Sequence, residues 1–202
     1  MIVAVTGQMR SGTSAVAEAL HRLGCPVAMH TPAPQPPTWR FDWEDSKLSS
    51  RLMSRGVEAP WMRDYVAERY RHAAMCYDST CIALKSPYLV FAKEALQIVS
   101  EMRDDPLFWV VLRRPQIDID CSISQWEVLD PDVNKEIKAI LAGSDKWANT
   151  ITVDYDKLVE NPKQGVSALA LQLGLRPDPG GLEGAIATVK EPTSRSTEWQ
   201  LS

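Results

Sequence analysis

Four short runs in the chain are apolar almost throughout: Ile2 to Val5, Cys81 to Leu84, Phe108 to Leu112 and Ile151 to Val153. Such runs suit strands covered on both faces, as in a parallel sheet, where the alternation of apolar and polar positions is lost. Between them the period becomes helical. Val16, Ala19, Leu20 and Leu23 recur at i, i+3, i+4 and i+7, with Gly24 where a helix ends. Val166, Leu169, Ala170 and Leu173 repeat the pattern, and their surroundings predict a helix with Asn161 as N-cap, Pro162 in its first turn and Gly174 at its close. Ser86-Pro87 and Arg114-Pro115 put proline where a helix begins directly after a strand. Two more helices, over about 44–55 and 60–76, follow one another with no strand between them.

Strands alternating with helices predict an α/β fold of three layers, a mainly parallel central sheet flanked by helices. The 202 residues fit a single domain, 1–202, with a helical insertion at about 40–77 over one edge of the sheet. Pro32, Pro34, Pro36 and Pro37 form an extended, stiff connection that reads as a surface loop.

Charge and composition narrow the function classes. With 22 Lys and Arg against 26 Asp and Glu, the net charge of −4 excludes a basic coat for nucleic acid while leaving room for one anion pocket. Cys25, Cys76, Cys81 and Cys121 contain no CxxC pair, and His21, His30 and His72 do not stand at metal-ligand spacing from them, so no metal is expected and the thiols read as reduced. The apolar stretch after Met1 is too short for a signal peptide, and no run spans a membrane. A cytoplasmic protein without a membrane or nucleic-acid partner is the expectation.

The segment IVAVTGQMRSGTSAVAEAL carries the chemistry: a buried strand, the loop Gly7-Gln8-Met9-Arg10-Ser11-Gly12-Thr13-Ser14, then an amphipathic helix. Its glycine spacing and closing hydroxyl pair match a P-loop, whose backbone N–H groups turn around phosphate oxygens at the positive end of a helix. Thr13 stands where nucleotide triphosphatases place lysine, and the cation has moved to Arg10. The strand FWVVL ends in Arg113-Arg114 rather than in a magnesium-holding carboxylate. Arginine there serves phosphate directly.

With these features the chain resembles the PAPS-dependent sulfotransferases, whose donor loop commonly reads PRSGT or PKSGT. Here it reads MRSGTS, and the family's second signature, a strand followed by Arg, a variable residue, Pro and a serine-bearing helix, is similar to VVLRRPQIDIDCSIS. WEDSKLSSRL and VDYDKLVENPKQGVSALALQLGL resemble two further family segments, and the likeness runs from residue 1 to about 175. It implies PAPS as sulfuryl donor, PAP as product, no metal, and a small-molecule or carbohydrate acceptor. Gly12, Thr13 and Ser14 would cradle the 5′-phosphate, with Gly7 and Ser11 as further cofactor-binding residues of the loop, Arg10 would touch the phosphosulfate, and Arg113 would hold the 3′-phosphate. The family's partner serine falls at Cys121, with Ser122 one place later, so either serves. Arg195, in PTSRSTEW, matches a loop over the 3′-phosphate or belongs to a frayed tail.

Lys85 ends a strand before Ser86-Pro87, in the crevice position of α/β sheets, and is a second catalytic candidate for steadying the sulfuryl group or the acceptor. An acceptor hydroxyl needs a general base. Glu44 best matches the family's acidic position, with His30 as rival. Trp39, Phe41, Trp43 and Trp61 would wall an acceptor pocket or join the core. A small-molecule kinase, favoured by Asp154 after the last strand, and a P-loop protein that binds nucleotide without turnover are the alternatives.

Overall fold

The computed structural model describes residues 1–27, 46–123 and 131–190. Its sheet has four strands, all parallel: β1 (Ile2–Gly7), β2 (Ile82–Lys85), β3 (Leu107–Arg113) and β4 (Thr150–Asp154), in the spatial order β2-β1-β3-β4. They coincide with the four apolar runs, with ends that differ by one or two residues. A parallel sheet needs a crossover after every strand, and the helical segments supply them. Nine α-helices flank the sheet among the described residues: α1 (Thr13–Arg22), α2 (Ser46–Met53), α3 (Ala59–Tyr77), α4 (Lys93–Arg103), α5 (Gln116–Ile123), α6 (Pro131–Leu141), α7 (Tyr155–Glu160), α8 (Pro162–Gln172) and α9 (Pro179–Lys190).

Every residue of β1 is buried, because alternate side chains enter two separate cores. On one face Ile2 and Ala4 join Ile82, Leu84, Trp109 and Val111 under α2, α3, α4 and α6. On the other, Val3 and Val5 join Ala83, Val110 and Leu112 under α1, α7, α8 and α9. Each fully buried aliphatic side chain contributes about 2 kcal/mol. The result is the three-layer arrangement expected. Helices α2 and α3 place Leu48, Leu52, Met62 and Val66 in the first of these cores, so they cover a face of the sheet as well as lying near its β2 end.

Local signals acted as predicted in part. Gly24 and Gly174, with φ of 87° and 67°, end α1 and α8 in the left-handed region that glycine enters without strain. Asn161, by contrast, makes no side-chain cap on α8; Pro162 alone marks that start. Ser86 does cap, its Oγ accepting from the Tyr88 N–H at 3.3 Å, but the segment it opens is a 3₁₀ helix, Pro87–Ala92, which passes into α4.

Candidate active site

The carboxyl ends of β1, β2, β3 and β4 come together at one edge of the sheet, and the loop between β1 and α1 lies there. Two of its residues have left-handed backbones: Arg10 at φ 69° and Gly12 at φ 94°. The turn is held from inside. The Met9 N–H donates to Asn134 Oδ1 at 3.0 Å, with both side chains buried, and the Ser11 N–H donates to the Gln8 carbonyl at 3.1 Å. Gln8 Nε2 donates to Gln116 Oε1 at 3.3 Å, and Arg114 Nη1 donates to the Arg10 carbonyl at 3.4 Å.

Both loop glycines are required by close approach. A β-carbon on Gly7 would strike Ser11 Oγ and press the Leu112 carbonyl at 3.0 Å, while one on Gly12 would enter the ring of Tyr155. Tyr155 opens α7 just after β4, and the Arg114 guanidinium lies over its ring, 5.4 Å from the centroid. Arg114 Nε stands 3.7 Å from Asp156 Oδ1.

This cluster leaves donors for an anion. Among the described residues the N–H groups of Gly12, Thr13 and Ser14 have no acceptor, as the opening turn of a helix requires, and the buried Ser11 Oγ has no hydrogen-bond partner. Burial first, then the charge of Arg114, pushes the Arg10 guanidinium below its ordinary value, while Tyr155 acts the other way. Two guanidinium groups that repel one another beside unfilled N–H donors suit a phosphate-type anion. The residues present therefore fit the 5′-phosphate end of a nucleotide donor.

The other expected residues fall in different places. Lys85, only 5% exposed, sits at the end of β2 beside Val5, in the same row of strand ends. Ser86, next to it, meets Ser49 of α2, the two Oγ atoms lying 3.1 Å apart. Arg113 ends β3 but points out to solvent, where its Nη2 pairs with Asp145 Oδ1 at 2.7 Å. Trp61 stacks on Tyr65 at 5.3 Å, with Arg51 over it, packed against the core. Ser122 and Cys121 lie on α5, of which only the backbone is described at those positions. Glu44, His30, Trp39, Phe41, Trp43, the proline cluster and Arg195 lie outside the described residues.

Asp154, the residue that favoured a kinase, is engaged elsewhere. It caps α7, its Oδ1 accepting from the Lys157 N–H at 3.2 Å, and its Oδ2 stands 3.5 Å from Lys157 Nζ. Arg114 was read with Arg113 as an arginine that serves phosphate, but two other residues of the cluster, Tyr155 and Asn134, escaped the sequence reading as site members. Tyr155 directly follows a strand end, a signal that was there to be used. Asn134 lies in mid-helix and carried no signal. No helix among the described residues is long and apolar enough to cross a membrane.

No protein-family model matches the chain, and no curated protein matches it in sequence. Solved structures do. A sulfotransferase from Mycobacterium tuberculosis superposes with TM-score 0.52 at 18% identity, over 94% of this chain and 75% of that one. The sulfotransferase domain of the Synechococcus olefin synthase gives TM-score 0.53 at 17% identity, over 91% and 76%. An unliganded sugar kinase from a Janibacter species gives 0.47 at 20% identity, over 87% and 95%. The two sulfotransferases show that this chain has a sulfotransferase-like fold.

Proposed function

We propose that the protein is a PAPS-dependent sulfotransferase that moves a sulfuryl group to an acceptor hydroxyl or amine and releases PAP. The observation that carries the reading is the pairing of Arg10 and Arg114 at a glycine loop whose Gly12, Thr13 and Ser14 N–H groups lack acceptors among the described residues. The sulfotransferase-like fold supports it.

In this reading Gly7, Ser11, Gly12, Thr13 and Ser14 hold the 5′-phosphate, and Arg10 neutralises charge building on it as the sulfuryl bond breaks. Catalysis is then mainly alignment and electrostatics. Arg113, with Ser122 or Cys121 and with Arg195, holds the 3′-phosphate. Lys85 steadies the sulfuryl group or the acceptor, and Glu44 or His30 takes the acceptor proton. A small-molecule or carbohydrate acceptor fits the chemistry.

A thermal-shift panel tests this. PAP is expected to stabilise the protein, by about 2.7 kcal/mol at 100 times its dissociation constant, and ATP with magnesium is not. Stabilisation by ATP with magnesium alone would assign the site to a kinase. PAP binding without consumption of labelled PAPS in any acceptor pool would assign it to a binder without turnover.

A further inference from the structure

Cys25 and Cys81 stand side by side at the amino end of the sheet. Val27 pairs in parallel with Ala83, and the Ala83 N–H donates to the Pro26 carbonyl at 2.8 Å. Two residues earlier on each segment are Cys25 and Cys81. Neighbouring strands run about 4.8 Å apart, inside the Cα separation of about 4.4–6.8 Å that a disulfide spans. Both side chains belong to the same buried cluster on one face of the sheet, and Cys81 Sγ reaches the carbonyl of Gly24, the residue next to Cys25.

The two cysteines are not equivalent. Cys25 is fully buried, whereas Cys81 keeps 7% of its surface exposed. Ser79 Oγ lies 3.3 Å from Cys81 Sγ, and its one proton also has the Gly24 and Cys81 carbonyls in reach, at 3.1 and 3.2 Å. Cys81 as a thiol donates to the Gly24 carbonyl at 3.5 Å. Around them lie the Met1 ammonium, which donates to the Thr80 carbonyl and to Asp105, and the Tyr70 phenol. Hydrogen bonds from Cys25 and then Ser79 bring the Cys81 thiol down to about 6 against its burial, while the Cys25 thiol is pushed up.

We propose that Cys25 and Cys81 are a redox-active dithiol, closed to a disulfide by hydrogen peroxide and reopened by a thiol reductant. The Cys81 thiolate attacks a peroxide oxygen, the O–O bond breaks, and hydroxide leaves to become water, giving a sulfenic acid. The Cys25 sulfur then attacks the Cys81 sulfur. Its proton leaves with the hydroxyl group as a second water, and the S–S bond forms. Two thiols have lost two electrons and two protons, and one peroxide has become two waters. The bond lies at the opposite end of the strands from Gly7–Ser14, and it closes a ring around the chain from Pro26 to Thr80, which carries α2 and α3. It is independent of the proposed sulfotransferase chemistry.

The test is a peptide map of full-length Cys76→Ser protein, which removes the exposed thiol nearest in sequence. After treatment with hydrogen peroxide and alkylation of the remaining thiols, the tryptic peptides holding Cys25 and Cys81 are expected as one linked species, lost on dithiothreitol treatment. In the Cys25→Ser protein, dimedone is expected to label Cys81 instead. Full alkylation of Cys25 and Cys81 after peroxide, or linkage of either to Cys121, would overturn the proposal. The map of the Cys76→Ser protein decides the matter if Cys25→Ser does not fold, as circular dichroism will show.

Discussion

The ring of Tyr155 occupies the space that a β-carbon on Gly12 would need. Gly12 is also left-handed at φ 94°, so two independent reasons demand glycine there. Gly12→Ala is expected to cost about 2 kcal/mol in backbone strain alone, lowering the melting temperature by about 4–8 °C, and to abolish stabilisation by PAP. Gly24→Ala is the control: its φ is 87°, but among the described residues nothing lies within 4 Å of its added carbon. That variant should lose stability and keep the PAP shift. Equal loss of ligand response in both would deny Tyr155 any part in shaping the loop.

Arg114 joins the loop to Tyr155, donating to the Arg10 carbonyl while its guanidinium covers the ring. A lysine keeps the charge but has neither the planar fork nor the stacking surface. Arg114→Lys is therefore expected to weaken PAP about tenfold, equivalent to about 1.4 kcal/mol, nearly as much as Arg114→Ala. Wild-type affinity in the lysine variant, measured by calorimetry, would reduce the role of Arg114 to its charge.

The strands and the donor loop were legible in the sequence because each is specified locally: an apolar run for burial, glycines for a turn, hydroxyls at a helix start. The apolar periodicity of α1 and α8 was read the same way. The contacts that hold the loop were not. Met9 meets Asn134, and Gly12 meets Tyr155, across more than a hundred residues of chain, and only packing of α6 and α7 against the sheet brings them together. Asn161 shows the converse limit, since a good capping residue in the right place makes no side-chain cap once Pro162 has set the start of α8.

Arg113 is paired with Asp145 on the surface, with their side chains 49% and 66% exposed. Such a pair contributes about 0–1 kcal/mol to stability, so Asp145→Asn should leave the melting temperature nearly unchanged. It would also release Arg113 for a ligand. If Arg113 serves the 3′-phosphate, Asp145→Asn tightens PAP a few-fold, and Arg113→Ala weakens PAP by about tenfold or more, from the loss of a charge-assisted hydrogen bond. Neither change should alter affinity for adenosine 5′-monophosphate, which lacks that phosphate. Parallel losses for both nucleotides would remove Arg113 from this role.

Arg10 faces the opposite demand. As the group expected beside the reacting phosphosulfate, it acts where charge develops during transfer, so Arg10→Ala should cut turnover of PAPS by about 10²–10³-fold. PAP affinity should fall far less, because the N–H groups of Gly12, Thr13 and Ser14 remain. Equal losses in turnover and affinity would make Arg10 a plain binding residue.

Cys81 offers a pH dependence with a defined direction. Its hydrogen bonds from Cys25 and Ser79 favour the thiolate and outweigh burial, bringing the group from the ordinary thiol range to about 6. Only the thiolate reacts with iodoacetamide. Alkylation of Cys81 in the folded protein should therefore be slow below pH 6, reach half its maximum near pH 6 and stay level through pH 8. Cys25→Ser replaces a thiol donor with a hydroxyl, so a profile that moves with that substitution locates the cause in the pair. A Cys81 rate that keeps rising steeply between pH 7 and pH 8 in the wild-type protein would mean that its thiolate gains nothing from Cys25 or Ser79.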